Sequence, residues 1–358
     1  MTQLCIAGIL VLFASTGLSA QQASSWSGKA AGAYLDGRMT YWMSWPTASR
    51  DHETFCVSCH TVLPYALARP ALRNDLREQG LSPIERKLIE NVTKRVRMWN
   101  EVEPFYPDAK RGVPKTAESR GTESVLNALI LVWHEGRSPD AQLALINMWA
   151  QQLTSGENAG AWNWLQFHNA PWEGDSQYYG ATLAALAAGI AGNSQGGVKL
   201  LRNYLLRDKD EQVPINQVML LWASTKLKDL LTQTQQNPII QEALSKQQAD
   251  GGFSLSSLVG DWKRKDNTPQ ETKSDGVATG LVTLALQEAG VSPDQPQLRR
   301  GLAWLKQNQD QTEGRWLAYS LNKRQDLSTN AGHFMSDAAT AYAVLSLEEE
   351  HLAQSAKR

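Results

Sequence analysis

Apolar residues recur at helical spacing over most of the chain, in stretches punctuated by Gly and Pro. The pattern predicts helices over Pro83 to Asn100, Thr122 to His134, Ser138 to Gln152, Asp175 to Ile190, Gly197 to Leu206 and Pro214 to Leu231. It continues with Pro238 to Gln248, Ser274 to Ala289, Pro296 to Asn308 and Ser336 to Glu349. Ser82 before Pro83 and Ser138 before Pro139 read as helix starts, and Gly136, Gly192 and Gly290 as stops. No run of alternating β-branched residues stands out, so an all-α fold is expected. Pro64 fits the first turn of a helix after His60, whereas Pro70 should end or kink it.

The helices repeat in type. A loop carries Gly and then an aromatic, an Asp/Ser pair follows, and a helix of small residues opens. Gly160-Ala161-Trp162 precedes Asp175-Ser176, Gly251-Gly252-Phe253 precedes Ser274-Asp275, and Gly314-Arg315-Trp316 precedes Ser336-Asp337. More amphipathic helices, such as Leu298 to Leu305, come between. Helices rich in Ala and Gly suit a crowded inner ring, and helices with one charged face suit an outer ring.

Gln247-Gln248-Ala249-Asp250-Gly251-Gly252-Phe253 resembles the Q-x-x-x-G-x-W/F repeat of squalene–hopene cyclases and prenyltransferase β-subunits. Gln309 followed by Gly314-Arg315-Trp316 is similar with one residue inserted, and Gly160 to Trp162 matches the end of the motif. The resemblance spans residues 90–350 and implies an α/α toroid of the α6/α6-barrel type, with tryptophans stapling loops. The catalytic residues of these families do not carry over. No D-x-D-D acid is present, Asp208-Lys209-Asp210-Glu211 being nearest, and no cysteine follows Cys59 to serve a prenyltransferase zinc site.

Cys56-Val57-Ser58-Cys59-His60 has the spacing of a c-type haem attachment site, with His60 as an axial ligand. Met98, His52, His134, His168 and Met335 are candidate sixth ligands. A Cys56–Cys59 disulfide and a zinc site of His52, Cys56, Cys59 and His60 are the alternatives. Ala33 to Gly37 and Trp42 resemble a degenerate first repeat loop. In repeat register the cysteine segment takes the place of the Asp/Ser pairs, which would put it at the cavity mouth near Glu123, Asp175, Asp275 and Asp337. Asp175, Asp275 and Asp337 also read as helix caps.

Composition narrows the partners. The 358 residues carry a net charge of -1 without a long basic run, which argues against nucleic acid or an anionic membrane surface. Apolar residues make up 42% and charged residues 20%, enough for a packed core. Residues 1–20 read as a signal peptide containing Cys5, residues 21–80 as an N-terminal repeat, 81–350 as toroid repeats and 351–358 as a polar tail. No other segment is long and apolar enough to span a bilayer, and a periplasmic or secreted location is expected. Two functions fit. One is an exported haem protein in electron transfer or redox chemistry, with a redox partner protein. The other is a haem-free, squalene-cyclase-like toroid that binds or transforms a small apolar, isoprenoid-type ligand in its central cavity.

Overall fold

The computed structural model describes residues 26–355 except 113, 175 and 193–196. The signal peptide, Cys5 and Asp175 therefore lie outside the described residues. In chain order the elements are α1 (Gly28–Ser44), the hairpin β1 (Ser49–Arg50) and β2 (Thr54–Phe55), α2 (Val62–Asp75), α3 (Pro83–Arg97) and α4 (Asp108–Arg111). There follow α5 (Lys115–Glu135), α6 (Pro139–Ala150), α7 (Tyr178–Ala191), α8 (Gly197–Arg207) and α9 (Pro214–Lys226). The last are α10 (Gln233–Ser245), α11 (Gly276–Glu288), α12 (Pro296–Gln307) and α13 (Phe334–Ser355). The hairpin pairs Ser49 with Phe55 and Arg50 with Thr54, antiparallel.

Six helices close a ring in the order α2, α5, α7, α9, α11, α13 and back to α2. The others pack outside it: α1 on α2 and α13, α3 and α6 on α5, α8 on α7, α10 on α9, and α12 on α11 and α13. This is the all-α toroid expected from the sequence. The inner helices carry small residues because neighbouring backbones nearly touch. A Cβ on Gly280 of α11 would lie 2.6 Å from the Ala343 nitrogen of α13.

The loops at one end of the barrel repeat a single device. Gln152 Nε2 donates to the carbonyls of Gly160 (3.0 Å) and Gly197 (2.9 Å), at the start of α8. Gln247 Nε2 donates to Gly251 (2.8 Å) and to Gln297 (2.7 Å) in α12. Gln309 Nε2 donates to Gly314 (2.8 Å) and to Ser27 (3.0 Å), the N-cap of α1. Each amide ties its own loop to the next outer helix, and α1 stands in as the outer helix after the last repeat. Gly160, Gly251 and Gly314 all adopt positive φ, which glycine reaches without steric cost. The aromatic that follows is stapled in turn: Trp162 Nε1 donates to Met148 O at 2.6 Å and Trp316 Nε1 to Leu305 O at 2.8 Å. The tryptophans of these loops are structural, as expected.

Several elements depart from expectation. Residues 33–37 and Trp42 belong to helix α1, not to a loop. Helix α5 begins at Lys115, seven residues before Thr122, and α10 begins at Gln233 with Pro238 inside its first turns. Pro70 lies inside α2 without ending it. Pro70 has no N–H to donate to the Ala66 carbonyl, and His134 Nε2 supplies the missing bond at 2.7 Å. Trp133 Nε1 covers the adjacent Leu67 carbonyl at 3.0 Å. Asp275 caps α11, accepting from Ala278 N at 3.0 Å, but Asp337 caps nothing. It lies within the first turn of α13 and accepts from Arg38 Nε (2.7 Å), Tyr34 Oη (2.9 Å) and Thr61 Oγ1 (2.7 Å).

Gly280→Ala should cost about 1–3 kcal/mol by forcing α11 and α13 apart. A thermal melt of the variant beside the parent protein checks this, and an unchanged midpoint would show that the helices yield freely.

Candidate functional site

A cavity of about 500 Å³ opens at the end of the barrel where the inner helices begin. Its wall includes Ser58, Cys59 and His60 just before α2, Thr122 of α5, Trp172 and Glu173 before α7, and Phe334 and Met335 at the start of α13. Trp42, Trp45, Phe167 and Tyr106 add further aromatic surface. Ser320, Asn322, Asn169, Lys265 and Lys323 supply polar groups. Aromatic faces with a few convergent polar groups suit an amphipathic ligand.

The cysteine segment is held from several sides. Trp42 Nε1 donates to Cys56 O at 2.7 Å, and Asn91 clamps Phe55 through its N–H (2.8 Å) and its carbonyl (3.1 Å). Ser58 Oγ accepts from the N–H groups of Thr61 (3.2 Å) and Val62 (3.1 Å), so it satisfies the open start of α2. Thr61 then ties the segment to Asp337. The repeat register therefore holds for Asp337. Glu123 is a buried ion-pair partner of Arg95 at 2.6 Å, and Asp275 is spent on capping α11.

The other side of the cavity is a tight turn. Asn169 and Glu173 exchange both backbone hydrogen bonds, at 2.7 and 2.8 Å, around a cis Ala170–Pro171 bond. Trp164 Nε1 fixes Trp172 through its carbonyl at 2.7 Å, and Asn322 Nδ2 donates to Ala170 O at 3.0 Å. The Glu173 side chain turns into the cavity wall, where Asn169 Nδ2 donates to it at 3.3 Å. Burial outweighs that bond and pushes its carboxyl up to about 7. Glu173 is the one carboxylate among the described residues of the wall. Nothing in the repeats marked it: it follows Trp172 in a polar loop, outside every motif.

His60 is locked between rings. Phe334 stacks on it at 4.3 Å between centroids, Trp42 meets it edge-on at 5.2 Å, and its Nδ1 lies 2.9 Å from Thr61 Oγ1. Burial, with the Arg38 charge adding to it, drops its pKa to about 3, so it is neutral. Cys56 and Cys59 are buried free thiols, and burial pushes Cys56 up to about 12 and Cys59 well above its ordinary value.

The remaining ligand candidates are dispersed. His52 is exposed, at positive φ, and paired with Asp51 at 2.9 Å. Met98 caps α3, His134 serves the Ala66 carbonyl, and His168 stacks on Trp262 at 4.2 Å. Only Met335 shares the cavity wall with His60.

No family model matches the chain, and no curated protein matches it. Solved structures do. An unsaturated glucuronyl hydrolase from Streptococcus agalactiae is 10% identical with a TM-score of 0.53, over 90% of this chain and 91% of that one. The unsaturated glucuronyl hydrolase of Bacillus sp. GL1, responsible for glycosaminoglycan degradation, is 12% identical with a TM-score of 0.52, over 90% and 94%. An α-1,6-mannanase from Salegentibacter sp. HEL1_6 is 12% identical with a TM-score of 0.52, over 91% and 99%. At such identity the likeness defines the fold, an α/α toroid.

These findings correct the sequence reading. The toroids that the chain is similar to are sugar-processing proteins, not squalene–hopene cyclases or prenyltransferase β-subunits. Haem c and the electron-transfer role with a redox partner are not supported. The solved toroids of similar fold are named as hydrolases, Phe334 and Trp42 pack on the His60 ring, and of the sixth-ligand candidates His168, Met98, His52 and His134 lie away from the cavity wall, Met335 alone sharing it. Zinc fails on geometry: His52 points to Asp51, and among the described residues no three His, Cys, Asp or Glu groups converge as a metal site.

The raised Glu173 carboxyl makes stability depend on pH. The folded protein keeps this proton up to about 7, whereas an ordinary glutamate loses it near 4.5. Stability should therefore be full below the lower value and fall as pH rises towards 7, by roughly 3 kcal/mol. Glu173→Gln should remove that part of the decline in urea titrations at pH 4.5 and 8. Asp275, which burial also pushes up to about 7, contributes the same slope to both proteins, so their difference isolates Glu173. Parallel curves would refute the shift.

Proposed function

We propose that the chain processes a saccharide, with a sugar ring seated in the cavity at the start of the inner helices and Glu173 acting as general acid. The observation that carries this reading is the Glu173 carboxyl, raised to about 7 beside Trp172 in an aromatic-walled cavity. A carboxyl near that value is largely protonated at neutral pH and can still release its proton, as a general acid must. Pyranose rings have C–H faces that pack on aromatic rings and hydroxyls that bond amides. Trp42, Trp45, Trp172 and Phe334 offer the first kind of surface, and Asn169 and Asn322 the second. Glu173 would deliver its proton to the glycosidic oxygen as the bond to the anomeric carbon breaks; water would add its oxygen to that carbon, and the proton that it sheds would restore the Glu173 carboxyl. The toroids of similar fold whose names describe action on unsaturated glucuronyl groups and α-1,6-mannan agree with a sugar ligand. So does the exported location expected from residues 1–20, since extracellular polysaccharide is met there.

Incubation of the protein with unsaturated glucuronyl disaccharides and α-1,6-linked mannobiose, followed by reducing-sugar release, tests this. Turnover should fall about 100-fold or more in Glu173→Gln. The parent rate should decline above pH 7 as the acid ionises, an arm that the variant lacks. Full activity in Glu173→Gln would remove the assignment.

A further inference from the structure

His60 stands on the cavity wall with one ring nitrogen committed and one open. A chain of hydrogen bonds decides which of them carries the proton. Asp337 ion-pairs with Arg38 Nε at 2.7 Å, so its carboxylate only accepts. Tyr34 Oη donates to it at 2.9 Å and Thr61 Oγ1 at 2.7 Å. The Thr61 hydroxyl has a single proton, and Asp337 takes it. The 2.9 Å contact between Thr61 Oγ1 and His60 Nδ1 must then run the other way, with Nδ1–H donating to the hydroxyl oxygen. Burial and the Arg38 charge keep the ring neutral. A neutral imidazole with its proton on Nδ1 has a bare lone pair on Nε2.

That lone pair is not used within the protein. Nε2 has no hydrogen-bond partner among the described residues. Nor is it sealed in the core, as the unpartnered Trp222 Nε1 and His134 Nδ1 are. His60 is partly exposed, and its neighbours show where. Phe334 covers one face of the ring at 4.3 Å, the Trp42 and Trp172 rings pack at 5.2 and 6.0 Å, and Thr61 holds the Nδ1 edge. The Nε2 edge is left to the cavity. Trp172 directly precedes Glu173, so one wall carries a carboxyl that can donate and an imidazole that can only accept.

We propose that His60 is a specificity-determining residue that accepts a hydrogen bond from one ring hydroxyl of the saccharide at Nε2, with Thr61 and Asp337 as positioning residues that hold its tautomer. This rests on the saccharide reading and adds what the cavity selects: a sugar whose hydroxyl meets Nε2, over one that lacks it. No proton changes hands, because the ring stays neutral. A site built around such a bond rejects the analogue without the hydroxyl, since its own acceptor is then left unpaired.

Two measurements test this, the first without any sugar. Heteronuclear NMR of the full chain with isotope-labelled histidine, the His60 signals being assigned by their loss in His60→Phe, should show Nδ1 protonated and Nε2 bare from about pH 5 to about pH 8. Thr61→Val should bring the Nε2–H form into the population. A parent protein with the proton on Nε2 overturns the assignment. Calorimetric titration then compares thio-linked α-1,6-mannobiose and a thio-linked unsaturated glucuronyl glucose with forms of each that lack a single ring hydroxyl. At least one deoxy form should bind the parent protein about tenfold more weakly than its complete disaccharide. In His60→Phe that contrast should shrink to within about twofold, while the penalties for other hydroxyls persist. His60→Gln, which keeps an acceptor at the site, should retain part of the contrast and guards against misfolding of the first variant. No contrast in the parent protein, or one that survives His60→Phe in full, overturns the role of His60 and leaves the saccharide reading standing. Binding of neither complete disaccharide overturns both.

Discussion

The toroid depends on a side-chain amide repeated around one end of the barrel. Gln152, Gln247 and Gln309 each put two donors of one NH2 group onto two carbonyls, one in their own loop and one on the following outer helix. A loop between two buried helices has carbonyls that water reaches poorly, and each unsatisfied one would cost on the order of 1–3 kcal/mol. The amide solves this for two elements at once and fixes their spacing. The glycine beside it must lack a Cβ for the same reason: at Gly160 such an atom would lie 2.2 Å from the Leu200 carbonyl of α8. Close contact and shared hydrogen bonds are two sides of one constraint.

That constraint positions the cavity. With the inner helices beginning at a common end, their unpaired N–H groups and dipoles face the same opening, and the loops before them supply its wall. Ser58 and Asp275 satisfy two of these helix starts. Where Asp337 is instead surrounded by Arg38, Tyr34 and Thr61, the same kind of residue becomes a clasp between the cysteine segment, α1 and α13. The fold thus places a cavity, while single side chains from the loops before the inner helices, the buried Glu173 carboxyl among them, decide what lines it.

Much of the frame was legible in the sequence because it rests on local rules. The Gln247 to Phe253 loop and its relatives, the small-residue inner helices and the Ser-Pro helix starts all announce themselves by spacing. Helix α1 did not, since Gly32, Gly37 and three aromatic residues disguise a helix stabilised by packing outside the ring on α2 and α13. Pro70 misled because its compensation comes from His134 and Trp133, more than sixty residues away. The Cys56 to His60 segment misled most. Its spacing matches a cofactor motif, but spacing says nothing of the Phe334 and Trp42 rings that pack on His60. Glu173 has no sequence mark at all, because its raised pKa comes from enclosure by loops that meet only in three dimensions.

The closing joint of the ring has a consequence for how the protein is made. Ser27 donates to Gln309 across 282 positions, and Asp337 reaches Arg38 across 299. Helix α1 emerges from the ribosome first, yet its seat exists only when the last repeat has been synthesised. Until then the growing chain is an open arc with two unfinished edges, each rich in apolar side chains. Joining α1 to the last repeat is a contact of very long sequence separation, the kind that slows folding, and an arc that has not made it must stay free of other arcs.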